Sequence, residues 1–152
     1  MKGEGIMITK EQKINKYCCL YVSDFHLEMI LLPFIKNKLK NSKVLIFTQN
    51  NLLETINIVL TKMNLNNENK NDILEIKNWS NKKIDKIDDE DINEYTIIIN
   101  GDKEYRDRIN DKIEKLKINV KNIVDCYDVN NTSIKSNYIQ NNYKGVLNTE
   151  SI

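Results

Sequence analysis

KYCCLYVSDFHLEMILLPFIKNKLKNSKVLIFTQNN, residues 16–51, is the stretch whose reading decides the fold. Tyr17 to Val22 is short, apolar, aromatic and β-branched, which predicts a buried central strand. Ser23 or Asp24 then caps a helix by accepting from the free amides of its first turn. Phe25, Met29, Leu32, Ile35 and Leu39 form one stripe of that helix. Pro33 has no amide to donate and predicts a kink or a restart. Lys43 to Thr48 reads as a second buried strand.

The same alternation continues outward. Leu52, Ile56, Val59, Leu60 and Met63 give a second amphipathic helix. A polar loop from Asn64 precedes a short strand at Ile73 to Ile76, and a charged excursion from Asn78 to Glu94 follows. Tyr95 to Asn100 is the clearest strand. Gly101 turns the chain, Asp102 caps, and Tyr105, Ile109, Ile113 and Leu116 stripe a third helix. Val120 to Asp125 is the last strand of the pattern. Strands alternating with helices predict a three-layer α/β domain: a mainly parallel sheet of about five strands with helices on both faces. Residues 1–126 form that single domain. Residues 127–152 are an Asn-rich polar tail, read either as an added edge strand or as partly disordered.

Composition narrows the classes. The chain has 152 residues, with 23 basic and 22 acidic side chains and a formal net charge of +1. Such balance carries no global footprint for nucleic acid, even with Lys36, Lys38, Lys40 and Lys43 close together. There is no Ala, and Lys, Asn and Ile are heavily used, a skew read as codon bias. Cys18 and Cys19 are adjacent and point to opposite faces of a strand, and Cys126 is distant, so no disulfide framework is indicated. No apolar run approaches a membrane span or a signal peptide core, and the expectation is a reduced, cytoplasmic chain.

Open α/β sheets bind ligands outside the carboxyl ends of their strands. Tyr21, Ser23, Asp24, His26, Thr48, Asn100, Asp102 and Asp125 fall at or near those ends and are the candidate ligand-binding residues. Against this, Ser23, Asp24 and Asp102 also read as plain helix caps, and for these three that reading is preferred. No phosphate loop of the Gly-x-x-x-x-Gly-Lys-Ser/Thr type is present, and four glycines cannot supply a dinucleotide fingerprint. Caps that carry their own carboxylates also repel an anion at those helix starts.

Leu20-Tyr21-Val22-Ser23-Asp24-Phe25-His26-Leu27 resembles the first metal-binding motif of calcineurin-like metallophosphoesterases, in which Asp24 and His26 would ligate one of two metals. The remaining blocks fail: Gly101-Asp102-Lys103-Glu104-Tyr105 has Tyr where a carboxylate or amide belongs, and His26 is the sole histidine. No metal site is expected. A Cys–His pair between His26 and Cys18, Cys19 or Cys126 is weighed against buried cysteines acting as small hydrophobes, and the latter is preferred.

Residues Tyr17 to Thr48 also resemble the MEDS sensory domain. The residues that carry this are the strand Cys19-Leu20-Tyr21, the helical Pro33-Phe34-Ile35-Lys36-Asn37-Lys38-Leu39, and the strand Lys43-Val44-Leu45-Ile46. The resemblance implies a RecA/KaiC-like fold without a phosphate loop and a sensory or regulatory role without catalysis. The expectation is therefore a signalling module with no cofactor, acting through a small-molecule ligand and through a protein partner or self-association. Trp79, Tyr127, Tyr138 and Tyr143 are the candidate partner-binding residues, since Trp and Tyr are enriched at binding hot spots. The alternative is a small hydrolase or nucleotide-binding enzyme using Asp24, His26 and Asp102.

Overall fold

The computed structural model describes residues 13–62, 71, 73, 93–130 and 134–148. Strand β1 (Asn15–Tyr21) leads into helix α1 (Asp24–Lys38), then β2 (Lys43–Thr48) and α2 (Leu53–Lys62). After these come β3 (Glu94–Asn100), α3 (Lys103–Glu114), β4 (Asn119–Asp128), α4 (Ser136–Asn142) and β5 (Gly145–Leu147). The strands form one sheet in the order β2-β3-β4-β1-β5, and every pairing is parallel. This is the three-layer α/β arrangement that the strand–helix alternation predicts.

Period-two alternation sorts the side chains between the two faces. Cys19, Tyr21, Val44, Ile46, Ile98, Val124 and Cys126 face α1 and α2 and form the larger core with Leu27, Leu31, Ile35 and Ile56. The opposite face packs Ile97, Ile99 and Ile123 against Ile109 and Ile113 of α3. Beside that cluster, Cys18 and Tyr127 meet Tyr143, with Ile139 of α4 against them. The adjacent cysteines thus serve two different cores, as strand geometry requires.

Several details differ from the sequence reading. Helix α1 continues through Pro33 without a restart. Its buried face is Leu27, Ile30, Leu31, Phe34 and Ile35, together with Leu32, while Phe25 and Met29 of the expected stripe stand 45% and 47% exposed. Strand β4 continues to Asp128, so Tyr127 is a sheet residue and a boundary at 126 falls inside the strand. The segment beyond it supplies α4 and the edge strand β5, whose Val146 and Leu147 pair with Cys18 and Cys19. Asn71 and Ile73 are helical, so no strand starts at Ile73. Ile73 is buried in the larger core. Trp79 and the excursion from Asn78 to Ile92 lie outside the described residues.

Among the described residues, no helix is long and apolar enough to cross a membrane.

Candidate functional site

Three of the expected rim residues do meet. Each ends a parallel strand on the α1 face, so Tyr21, Asn100 and Thr48 converge. The Tyr21 hydroxyl donates to Asn100 Oδ1 at 2.8 Å, Asn100 Nδ2 donates to Thr48 Oγ1 at 3.1 Å, and Thr48 donates to the Asn50 carbonyl at 2.7 Å. All three side chains are buried. Burial pushes the Tyr21 phenol well above its ordinary range, with Cys126 and nearby carboxylates adding to the effect. The relay is complete within itself. It ties three strand ends together.

The rim around this relay is stitched rather than open. Gln49 accepts from the Asp102 amide at 2.9 Å and donates to Asp102 Oδ2 at 3.3 Å, bridging the ends of β2 and β3. Gly101 is required at that bridge: a Cβ there would stand 2.5 Å from Tyr105 Cδ2 and 3.0 Å from Gln49 Oε1. Between β1 and β4, the Val129 amide donates to the Tyr21 carbonyl and Asn130 Nδ2 to the Val22 carbonyl, both at 2.9 Å.

Ser23, Asp24, His26 and Asp102 act locally. Ser23 Oγ accepts from the His26 amide at 3.1 Å, capping α1. His26 Nδ1 accepts from the Val22 amide at 3.0 Å, so this ring nitrogen is occupied by the chain's own backbone. The residue is half-buried at its own helix start. Asp102 Oδ1 accepts from the Tyr105 amide, and that bond, with Gln49, holds its carboxyl below the usual range. Asp24 occupies the first turn of α1. Among the described residues, no three His, Cys, Asp or Glu side chains gather into a metal-holding group.

Asp125 departs from the expected rim for two reasons. Odd alternation turns it to the α3 face, and β4 runs three residues past it. There it belongs to a second polar cluster that the sequence reading did not assemble. Tyr143 donates to Asp125 Oδ2 at 2.7 Å, so the 2.7 Å contact between the two phenols has Tyr127 donating to Tyr143. Asn110 Nδ2 reaches Asp125 Oδ1 at 3.3 Å. Burial raises the Tyr143 phenol far above its ordinary range, and Tyr127 and Asp125 raise it further. Burial also lifts Tyr127. Below them the buried Cys18 thiol is pushed up to about 12 by desolvation, with Cys19 and Asp125 adding to it.

Arg106 completes the cluster. Its guanidinium lies 3.8 Å from the Tyr127 ring centroid, and Nη1 donates to the Gly101 carbonyl at 2.6 Å. Only 5% of the residue is exposed. No described carboxylate lies within ion-pair distance of it, and Nε and Nη2 make no hydrogen bond to a described residue. A cavity of about 500 Å³ opens over this cluster between α3 and α4, lined by Arg106, Asp125, Tyr127 and Tyr143 with Lys135 and Tyr138. Its volume falls in the range of small-molecule sites.

The four residues expected to meet a protein partner therefore have distinct placements. Tyr127 and Tyr143 are buried in the floor of the groove. Tyr138 stands 48% exposed at its mouth, its ring edge-on to Tyr143 at 6.3 Å. Trp79 is outside the described residues. No protein family, no curated protein and no solved structure matches this chain.

Proposed function

We propose that this chain is a non-catalytic regulatory module of the sensory type, which binds a small ligand in the groove between α3 and α4 and signals through a protein partner. One observation carries the reading. Arg106 is buried, its guanidinium is fixed by the Gly101 carbonyl and the Tyr127 ring, and the donors it has left border a cavity of ligand size. A guanidinium this deeply placed, with donors left open and no described carboxylate beside it, favours a role in recognition. The resemblance of Tyr17 to Thr48 to MEDS sensory domains supports the same class of function.

The enzymatic alternative has weaker support. Asp102 and Ser23 are engaged as caps, and His26 Nδ1 is bonded to the chain's own backbone. The Cys18 and Cys126 thiols are buried and raised, which suits packing rather than nucleophilic attack. Tyr138 on the short helix α4 is the exposed aromatic nearest the ligand and is the proposed link to a protein partner.

The test is capture of small molecules from the native cell extract by the purified full chain, read by mass spectrometry. A ligand retained by the wild type, released chemically unchanged after long incubation and lost from Arg106→Gln is the expected result. Conversion of the ligand to a product would refute the non-catalytic reading. Retention unaffected by Arg106→Gln would refute the groove.

A further inference from the structure

The groove also has a chemical preference. Its lining brings Lys16, Lys103, Arg106 and Lys135 together against two carboxylates, Asp107 and Asp125. Lys103 and Asp107 pair with each other at 2.8 Å, and Asp125 is engaged by Tyr143 and Asn110 rather than by a cation. Positive charge is therefore in excess around the cavity. It is concentrated at the one cation that is both buried and held rigid.

The fork of Arg106 presents a defined edge. One of its five N–H donors goes to Gly101, and its flat face is covered by Tyr127. The Nε and Nη2 edge matches the two oxygens of a carboxylate or phosphate in a bidentate pair. Tyr138 lines the same cavity, with its ring half exposed. Stacking on that ring suits a planar group a few ångströms from the anionic one.

We infer that the groove between α3 and α4 binds a small molecule bearing an oxyanion, carboxylate or phosphate, attached to a planar ring. The oxyanion sits on the Nε and Nη2 edge of Arg106 and the ring lies against Tyr138. This inference rests on the groove being the ligand site, and it adds the class of molecule that enters it.

Three probes with one ring and different charge test it: phenyl phosphate, benzyl alcohol and benzamidine, titrated into the full chain and followed by NMR. Phenyl phosphate is expected to bind at least about tenfold more tightly than benzyl alcohol, the scale of a hydrogen bond to a charged group. It should shift the Arg106 Nε–H and the Tyr138 ring, and benzamidine should do neither. Arg106→Gln should abolish the preference for phenyl phosphate, and Arg106→Lys should restore only part of it. If both buried substitutions impair folding, Lys135→Gln at the exposed mouth should still weaken phenyl phosphate several-fold and leave benzyl alcohol unchanged. Equal binding of the three probes within the groove would overturn the oxyanion inference and leave the groove reading standing. Shifts confined to residues outside the groove would overturn both. No binding of phenyl phosphate at millimolar concentration would overturn the inference.

Discussion

Replacing Glu28 with Gln should change how the stability of this protein depends on pH. Glu28 lies on α1 facing α2 and is fully buried. Oε2 accepts from the Thr55 hydroxyl, and Oε1 has no hydrogen-bond partner. Burial pushes this carboxyl from 4.5 up to about 7, with Asp24 one turn away raising it and the Thr55 bond holding it down. The folded chain therefore holds the proton more tightly than the unfolded chain. Between 4.5 and about 7 it binds more protons than the unfolded state, so its stability falls as pH rises through that window. With each tenfold in proton affinity worth about 1.4 kcal/mol, the loss attributable to Glu28 is about 3 kcal/mol at most. Gln does not titrate, so the difference between wild type and Glu28→Gln isolates this group from every other. Urea denaturation followed by circular dichroism at about pH 5 and about pH 8 measures it. The wild type should lose roughly 2–3 kcal/mol relative to the variant between those values. A difference constant to within about 0.5 kcal/mol, the scatter of neutral surface changes, would refute the reasoning.

Tyr21→Phe removes the donor to buried Asn100 Oδ1 and should cost about 1–3 kcal/mol in the same denaturation assay. A loss below 0.5 kcal/mol would mean the relay does not bind the strand ends together. Gly101→Ala forces a Cβ into the Tyr105 ring and should cost about 1–3 kcal/mol through overpacking; a neutral result would show that the ring yields freely. Cys18, Cys19 and Cys126 are all buried and free. They should react with a thiol reagent only at the rate at which the chain unfolds, and rapid labelling under native conditions would contradict their placement.

What was legible in the sequence follows from how many signals coincided. Lys43–Thr48 was read to its true ends because a polar loop bounds it on both sides. Tyr21, Thr48 and Asn100 were brought together by topology alone, since parallel strands end at one edge. Helix α1 misled because Met29 to Ile35 is apolar nearly all round, so the periodicity has no polar phase to orient it. Asp125 reads as a strand end because hydrophobicity fades after Cys126, although the strand continues to Asp128. Arg106 is hard to single out inside a charged helix, yet it stands three residues before Ile109 and seven before Ile113 on the buried face. Glu28 carried the same signal, lying three residues before Leu31 and seven before Ile35. In both helices a charge in phase with the buried stripe is a buried charge, and that is readable from the spacing alone.

The proposed ligand site lies in the groove between α3 and α4 rather than at the strand ends, and two substitutions separate these places. The most direct measurement compares Arg106→Gln with Asp24→Asn in a single capture experiment, using the same native extract and quantifying retained ligand per mole of folded protein. Asp24→Asn alters the start of α1 without touching the groove. Full retention by Asp24→Asn and loss by Arg106→Gln is the expected result. Loss by Asp24→Asn with retention by Arg106→Gln would contradict it and return the site to the strand ends.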